Sequence, residues 1–148
     1  MSDSFFIDTN VLLYAYDRDA GAKHEAAKKL VQQRWEQASG VISIQVLCDF
    51  FVRATRKDNA IINSEEAESI VRNLAYNWWV VVPDVQMVME AIRGRKNYQF
   101  SFWDALIWAA AKKAGVKGIY TEDFQQGQIV EGVEFINPFK VANVTEAR

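Results

Sequence analysis

The stretch Phe5-Phe6-Ile7-Asp8-Thr9-Asn10-Val11-Leu12-Leu13-Tyr14 decides how the chain folds. Its first three residues predict a strand that is apolar on both faces, as strands of a parallel sheet tend to be. Asp8 follows directly, and a predicted helix runs from about Thr9 to Tyr16. Open α/β sheets bind their ligands at the C-terminal edge of the strands. Asp8 is therefore either a ligand-binding group at that edge or a helix cap that accepts a backbone N–H.

The size and composition of the chain are those of a single globular domain, which we expect to cover residues 1–148. The single cysteine, Cys48, cannot form an internal disulfide or a zinc site, and the single histidine, His24, argues against a histidine-based metal centre or a Ser-His triad. No apolar stretch is long enough to span a membrane, and the lone cysteine leads us to expect the cytoplasm. Because the net charge is -2, a polyanionic substrate would need local basic patches or bound cations.

Strand and helix patterns alternate along the rest of the chain. Strands are predicted at residues 5–7, 40–44, 79–82, 118–121 and 133–136. Helices are predicted at residues 9–16, 23–37, 45–56, 84–97 and 101–114. A further helix is predicted to begin after Ser64, which serves as its N-cap. This alternation predicts an α/β fold with a central, mostly parallel sheet of four to five strands flanked by helices.

A second candidate carboxylate, Asp104, lies in the predicted helix at residues 101–114. Ser101 stands three positions before it, so the pair resembles a capping box, although Glu or Gln is preferred at the second position. The helix is otherwise apolar nearly all round up to Lys112. A charge in such a place costs several kcal/mol unless a cation or hydrogen-bond donors meet it. This cost favours a functional interpretation of Asp104.

Two more acids stand in related places. The strand at residues 118–121 runs directly into Glu122 and Asp123, so Asp8 and Asp123 occupy equivalent positions just past strand ends. Asp49 is a single carboxylate within an apolar run of the helix at residues 45–56, where a solvated helix position is the simpler explanation. The coincidence of Asp8, Asp104 and Asp123 predicts an acidic cluster at one edge of the sheet.

Carboxylates packed together repel one another unless positive charge is supplied. Oxygen ligands without His or Cys suit Mg²⁺ or Mn²⁺ rather than zinc. Such a site hydrolyses phosphodiesters, because the cation activates water and stabilises charge on the phosphate oxygens. The cation also reverses the local sign of an acidic cleft.

Three motifs together resemble those of the PIN-domain ribonucleases, in particular the VapC-like toxins of bacterial toxin–antitoxin pairs. They are Phe6-Ile7-Asp8-Thr9-Asn10-Val11-Leu12-Leu13-Tyr14, Ser101-Phe102-Trp103-Asp104-Ala105-Leu106-Ile107 and Thr121-Glu122-Asp123-Phe124, followed by Asn137-Pro138-Phe139. The resemblance covers essentially the whole chain. It implies a PIN-like fold and a Mg²⁺- or Mn²⁺-dependent endoribonuclease, with a small antitoxin partner and a homodimeric state.

The resemblance also implies roles for individual residues. Asp8, Asp104 and Asp123 match the family's acidic positions and are the expected metal ligands. Thr121 and Asn10 match supporting positions beside the ligands. Asp49 completes the expected catalytic acids but departs from the family, which usually carries Glu there, so its contact with metal is open.

Basic residues at helix ends are candidates for holding the RNA backbone, since phosphate contacts position a substrate without reading its sequence. Solvated helix ends are the alternative explanation for them. These residues are Arg53, Arg56, Lys57, Arg93, Arg95 and Lys96.

Two other functions compete with the nuclease interpretation. Aspartyl phosphotransfer also places Asp at strand ends, but phosphatases of that type favour a second Asp where this chain has Asn10. A PIN-like module that has lost catalysis and binds RNA or protein is favoured only by Asp49.

Overall fold

The computed structural model describes residues 3–124 and 127–140. These residues form one six-stranded sheet in the order β3-β2-β1-β4-β6-β5, flanked by helices. The strands are β1 (Phe5–Ile7), β2 (Gly40–Ser43), β3 (Trp79–Val81), β4 (Gly118–Tyr120), β5 (Ile129–Val130) and β6 (Val133–Ile136). The helices are α1 (Thr9–Tyr16), α2 (Ala22–Glu36), α3 (Ile44–Ala54), α4 (Ser64–Asn77), α5 (Val85–Tyr98) and α6 (Phe102–Ala114), with a 3-10 helix at Arg18–Ala20.

The predicted fold class is confirmed, with one strand more than the four to five expected. All neighbouring strands pair in parallel except β5, which pairs antiparallel with β6. The sequence did not predict β5 because a strand of two residues carries no periodic pattern. None of the helices in the described ranges has the length and apolar character needed to cross a bilayer.

Strand β1 lies inside the sheet, between β2 and β4. Phe5 aligns with Gly40 on one side, and Ile7 aligns with Tyr120 on the other. Phe6 and Ile7 are completely buried, which explains why the strand is apolar on both faces. The Asp8 N–H donates to the Tyr120 carbonyl over 3.0 Å, so the backbone of Asp8 stays fixed to the end of β4.

Side-chain caps begin several of the helices. Ser43 accepts from the Val46 N–H at the start of α3, and Ser101 accepts from the Asp104 N–H at the start of α6. The predicted Ser64 cap of α4 is wrong by one position. Asn63 caps that helix in a reciprocal capping box with Glu66, because the amide of Asn63 reaches the third helical N–H while the Glu66 carboxylate returns to the Asn63 N–H.

Helices α5 and α6 pack closely around the buried indole of Trp108. Gly94 on α5 makes this possible, because a Cβ there would stand 2.7 Å from the Trp108 ring. The Trp108 indole N–H donates to the Val130 carbonyl over 3.2 Å. Phe100 and Phe135 extend the same aromatic core. This packing fixes α6, and with it the turn that carries Asp104.

Candidate functional site

Asp8 is the most buried carboxylate of the candidate site, with 6% of its surface exposed. Its Oδ1 accepts from the Thr9 N–H over 2.7 Å, and its Oδ2 accepts from the Thr121 hydroxyl over 2.8 Å. Asp8 is the N-cap of α1. The two interpretations of this residue are therefore compatible, since the same carboxylate caps the helix and faces the end of β4.

The burial of Asp8 makes its negative charge costly. Burial raises the pKa of Asp8 from 3.8 to about 6, although hydrogen bonds from Thr121 and Thr9 oppose the shift. The carboxylates of Asp123 and Asp104 raise the pKa further. Asp104 also raises the pKa of Asp123, so these three predicted acids share one electrostatic environment.

Asp123 is fixed by two of the predicted supporting residues. The Asn10 amide donates to both Asp123 oxygens, each over 3.2 Å. The Thr121 oxygen accepts from the Asp123 N–H over 3.1 Å while its hydroxyl donates to Asp8. The pKa of Asp123 is raised mainly by burial and, to a smaller extent, by the negative charges of Asp104 and Glu122. Thr121, only 1% exposed, thus joins the ends of β1 and β4.

Asp104 reaches the same region from the first turn of α6. Its N–H donates to the Ser101 hydroxyl oxygen over 3.1 Å, so the backbone half of the expected capping pattern is present. The carboxylate is half-buried, and its charge acts on both Asp8 and Asp123. The first turn is less enclosed than the sequence suggested, because the neighbouring Trp103 is 64% exposed.

Asp49 is connected to the cluster through a basic residue. Its Oδ2 lies 3.5 Å from a guanidinium nitrogen of Arg53, one turn further along α3, and 45% of its side chain is exposed. Arg53 in turn lowers the pKa of Asp123. The predicted catalytic role of Asp49 stays a prediction, and its carboxylate lies at the rim of the site.

The predicted RNA-binding residues occupy different settings. Arg53 pairs with Asp49 and its charge acts on Asp123, and Arg56 is exposed just past the end of α3. Arg93 forms ion pairs with Glu90 and Glu131 above Trp108, which gives it a structural partner set between α5 and the β5–β6 turn. Arg95 and Lys96 are exposed near the end of α5, and their contact with RNA stays a prediction.

Glu122 anchors the segment that carries Asp123, a role that the sequence did not predict. The Tyr14 hydroxyl donates to Glu122 Oε1 over 2.7 Å, and Lys23 donates to Oε2 over 2.9 Å. These hydrogen bonds with Glu122 raise the pKa of Tyr14 and that of Lys23. Glu122 therefore ties the end of β4 to α1 and α2. The sequence shows an acid beside Asp123 but not the face to which it turns.

The oxygen donors at this edge fit a hard divalent cation by their chemistry. Asp8 is a buried carboxylate with a raised pKa, and two further carboxylates act on it. A cation would offset the cost of that burial. Within residues 3–124 and 127–140, no three His, Cys, Asp or Glu side chains stand close enough to form a ready-made metal cage. Both carboxylate oxygens of Asp8 and both of Asp123 instead accept hydrogen bonds from protein donors.

Comparison with known proteins gives a family and a set of similar folds. The family model of the PIN domain matches residues 5–131. No curated protein has a sequence that matches this chain. Among solved structures, the sarcin-ricin loop cleaving toxin VapC20 of Mycobacterium tuberculosis is 19% identical with a TM-score of 0.61, covering 81% of this chain and 90% of that chain.

Two similar structures are complexes. A toxin-antitoxin complex from Klebsiella pneumoniae is 20% identical with a TM-score of 0.65, covering 91% of this chain and 98% of that one. The DNA-bound VapBC of Salmonella typhimurium is 16% identical with a TM-score of 0.64, covering 92% and 98%. At these identities the likeness establishes the fold.

Proposed function

Because the chain belongs to the PIN-domain family, we propose that it is a metal-dependent endoribonuclease and the toxin of a toxin–antitoxin pair. The observation that carries this proposal is the setting of Asp8. Its buried carboxylate is held by two donors at the C-terminal edge of the sheet, in the field of Asp104 and Asp123. A buried negative charge of this kind lowers the stability of a folded protein unless a cation offsets it.

In this proposal Asp8, Asp104 and Asp123 hold Mg²⁺ or Mn²⁺, which when bound supplies the positive charge that activates water and stabilises the phosphate oxygens. Thr121 orients Asp8 through its hydroxyl and Asp123 through the backbone N–H. Asn10 keeps the Asp123 carboxylate turned toward the site. Rigid placement of the acids lowers the cost of organising them around the scissile phosphate.

The remaining predicted residues act on the substrate. Arg53 pairs with Asp49 and its charge acts on Asp123, so its guanidinium can meet a phosphate next to the one that is cleaved. Asp49 keeps Arg53 in that position through their ion pair and is the fourth acid of the proposed catalytic set. Exposed Arg56, Arg95 and Lys96 are further candidates for backbone contacts.

The partners follow from the fold and from an exposed surface. Similar structures are toxin-antitoxin complexes, which supports a small antitoxin as partner for this chain. Helix α5 exposes an apolar stripe at helical spacing, formed by Val85, Val88, Met89 and Ile92, of which Val85 is 76% exposed. Stripes of this kind mark interfaces, and this one supports a homodimer. The free, exposed Cys48 suits the reducing cytoplasm.

The decisive experiment maps RNA ends in cells after brief induction of the wild type and of Asp8→Asn. We expect new 5′ ends and growth arrest with the wild type, and neither with the variant although it accumulates as folded protein. Asp104→Asn should behave in the same way. Growth arrest and the same RNA ends in both variants would disprove the assigned site.

An alternative is a PIN-like binding module with weakened catalysis. The ion pair of Asp49 with Arg53 favours it, because a paired carboxylate at the rim contributes less to holding a cation. Metal-stripped protein separates the two functions. If added Mg²⁺ or Mn²⁺ restores no cleavage of any cellular RNA while the protein still binds RNA, the module is the correct function.

A further inference from the structure

A short turn, Asn137-Pro138-Phe139, follows β6 at the edge of the sheet where the acids lie, and the proposed function gives it no role. The turn begins beside the end of β4, because the Thr121 N–H donates to the Ile136 carbonyl over 2.9 Å. The Asn137 side-chain oxygen accepts from the Phe139 N–H over 2.9 Å. This bond folds the turn, and the Phe139 side chain is directed inward, with only 6% of the residue exposed.

The buried ring of Phe139 forms one wall of a seat for the ammonium group of Lys23. Phe139 meets the Tyr14 ring edge-on, with the ring centroids 5.3 Å apart. The Lys23 nitrogen lies 5.0 Å from the centroid of Tyr14 and 5.5 Å from that of Phe139. Aromatic rings attract a cation at such distances. The two rings therefore restrict where the Lys23 ammonium can lie, although 46% of this side chain is exposed.

Tyr14 and Lys23 both bind Glu122, one at each carboxylate oxygen. The Tyr14 hydroxyl donates over 2.7 Å and the Lys23 ammonium over 2.9 Å. Hydrogen bonds to a charged group are stronger than those between neutral groups, and only 19% of the Glu122 side chain is exposed. Glu122 is therefore held in one orientation. We call Tyr14, Lys23 and Phe139 the Glu122 clamp.

The clamp holds the residue that lies between Thr121 and Asp123. The Thr121 hydroxyl oxygen accepts from the Asp123 N–H over 3.1 Å, which fixes the backbone on one side of Glu122. The Asp123 carboxylate accepts only long bonds from Asn10, each 3.2 Å and exposed. Water competes with exposed hydrogen bonds, so their net contribution is small. The direction of the Asp123 side chain therefore depends on how firmly its backbone is held.

We propose that the Glu122 clamp positions Asp123 for the proposed reaction. Tyr14, Lys23 and Phe139 act through Glu122, so that the Asp123 carboxylate is in place before a cation binds. The inference rests on the proposed nuclease function and adds three positioning residues to it. Groups that are organised in advance lower the free-energy cost of assembling a site. Loss of the clamp should therefore weaken cation binding and slow cleavage without changing how tightly RNA binds.

The first test measures amide hydrogen exchange by NMR in the metal-free protein, in EDTA. Tyr14→Phe removes one hydroxyl group and keeps the ring, so the protein should fold. It should speed exchange of the Asp123 N–H by roughly tenfold or more, the effect of losing one hydrogen bond to a charged group. The Asp8 N–H, which donates to the backbone of β4, should exchange as in the parent. A general loss of stability would instead speed exchange at both positions.

Variants of the two other members test the rest of the clamp. Lys23→Met should speed exchange of the Asp123 N–H by roughly two- to fivefold, the range for a partly exposed ion pair. Lys23→Arg should restore the parent rate, because a guanidinium also binds aromatic rings and carboxylates. Phe139→Leu should speed exchange at Asp123, because it removes a ring on which Tyr14 and Lys23 rest.

Two variants outside the clamp serve as matched controls. Lys29→Met makes the same change as Lys23→Met on the same helix, at an exposed position. Tyr76→Phe removes the hydroxyl of a tyrosine that is 83% exposed. Both should exchange like the parent at Asp123.

The second test measures Mn²⁺ affinity by calorimetry, and kcat and KM for RNA cleavage. Tyr14→Phe should weaken Mn²⁺ binding by roughly tenfold, the lower end of the range for groups that orient a metal ligand. At limiting Mn²⁺ it should lower kcat and leave the KM for RNA unchanged, and excess Mn²⁺ should recover the lost rate. A control variant that lowers kcat equally would count against the clamp.

The outcomes separate this inference from the proposed function. If the parent cleaves RNA but Tyr14→Phe and Lys23→Met change neither the exchange at Asp123 nor the Mn²⁺ affinity, the inference is wrong and the nuclease stands. Equal acceleration of exchange at Asp8 and Asp123 would also overturn the inference, since it would show a merely structural role. If the parent binds Mn²⁺ more tightly than Tyr14→Phe but cleaves no RNA, the nuclease fails and the positioning role stands.

Discussion

Asp8→Asn should stabilise the metal-free protein at neutral pH, although it removes a residue that we place at the centre of the site. The amide keeps the size of the side chain and removes a charge that burial makes costly. The amide oxygen would still accept from the Thr9 N–H, and the amide NH2 would donate to the Thr121 hydroxyl oxygen, which donates to Asp8 in the wild type. The expected gain in unfolding free energy and its pH dependence follow from the raised pKa of Asp8.

The pKa of Asp8 rises from 3.8 to about 6 on folding. Between these values the folded state binds more protons than the unfolded state, so its stability falls as the pH rises. A shift of about two pH units corresponds to roughly 3 kcal/mol of lost stability above pH 6. Hydrogen bonds to an amide are weaker than those to a carboxylate, so Asp8→Asn should lose about 1 kcal/mol of this gain in unfolding free energy. We therefore expect Asp8→Asn to gain roughly 1–2 kcal/mol at pH 7.

The assay is urea unfolding of the wild type and Asp8→Asn in EDTA at a series of pH values. The stability difference should be small near pH 4, grow up to about pH 6 and stay constant above it. Asp84→Asn is the control with the opposite sign, because Lys113 and the Met87 N–H lower the pKa of Asp84 and its contribution is present at neutral pH. A destabilised Asp8→Asn at pH 7 with no pH dependence would refute the reasoning.

Three further substitutions test the structure around the site. Thr121→Val removes a hydrogen bond to Asp8, so it should lower the unfolding free energy by about 1.5–3 kcal/mol, measured by urea unfolding, and Thr121→Ser should restore it. Glu122→Ala should weaken Mn²⁺ binding, measured by calorimetry, while changing the unfolding free energy by less than about 1 kcal/mol; Glu122→Gln should recover part of the affinity. Gly94→Ala should destabilise by about 1–3 kcal/mol in the same unfolding assay, because the new Cβ would stand 2.7 Å from the Trp108 ring; a gain of helix stability instead would show that α5 can shift.

The sequence predicted the sheet and the placement of the acids through one mechanism. An apolar run that ends in Asp or in Thr-x-Asp fixes where a buried strand stops, and parallel strands stop at the same edge. The positions of Asp8 and Asp123 were therefore accessible without coordinates.

The details that the sequence did not predict depend on side-chain direction. Asn10 could face several neighbours, and only the structure shows its amide on Asp123. Glu122 turns away from Asp123 toward Tyr14, and the pairing of Arg93 with Glu131 joins residues far apart in the chain. Such contacts follow from tertiary packing, which local patterns do not encode.

Direct measurement of Mn²⁺ binding tests the central claim that Asp8, Asp104 and Asp123 form a cation site. Calorimetric titration of metal-stripped protein should show binding by the wild type and a large loss of affinity in Asp8→Asn and in Asp104→Asn, at a pH where all are folded. Asp84→Asn, which alters a carboxylate paired with Lys113, should bind as the wild type does. Unchanged Mn²⁺ affinity in Asp8→Asn and Asp104→Asn would contradict the account.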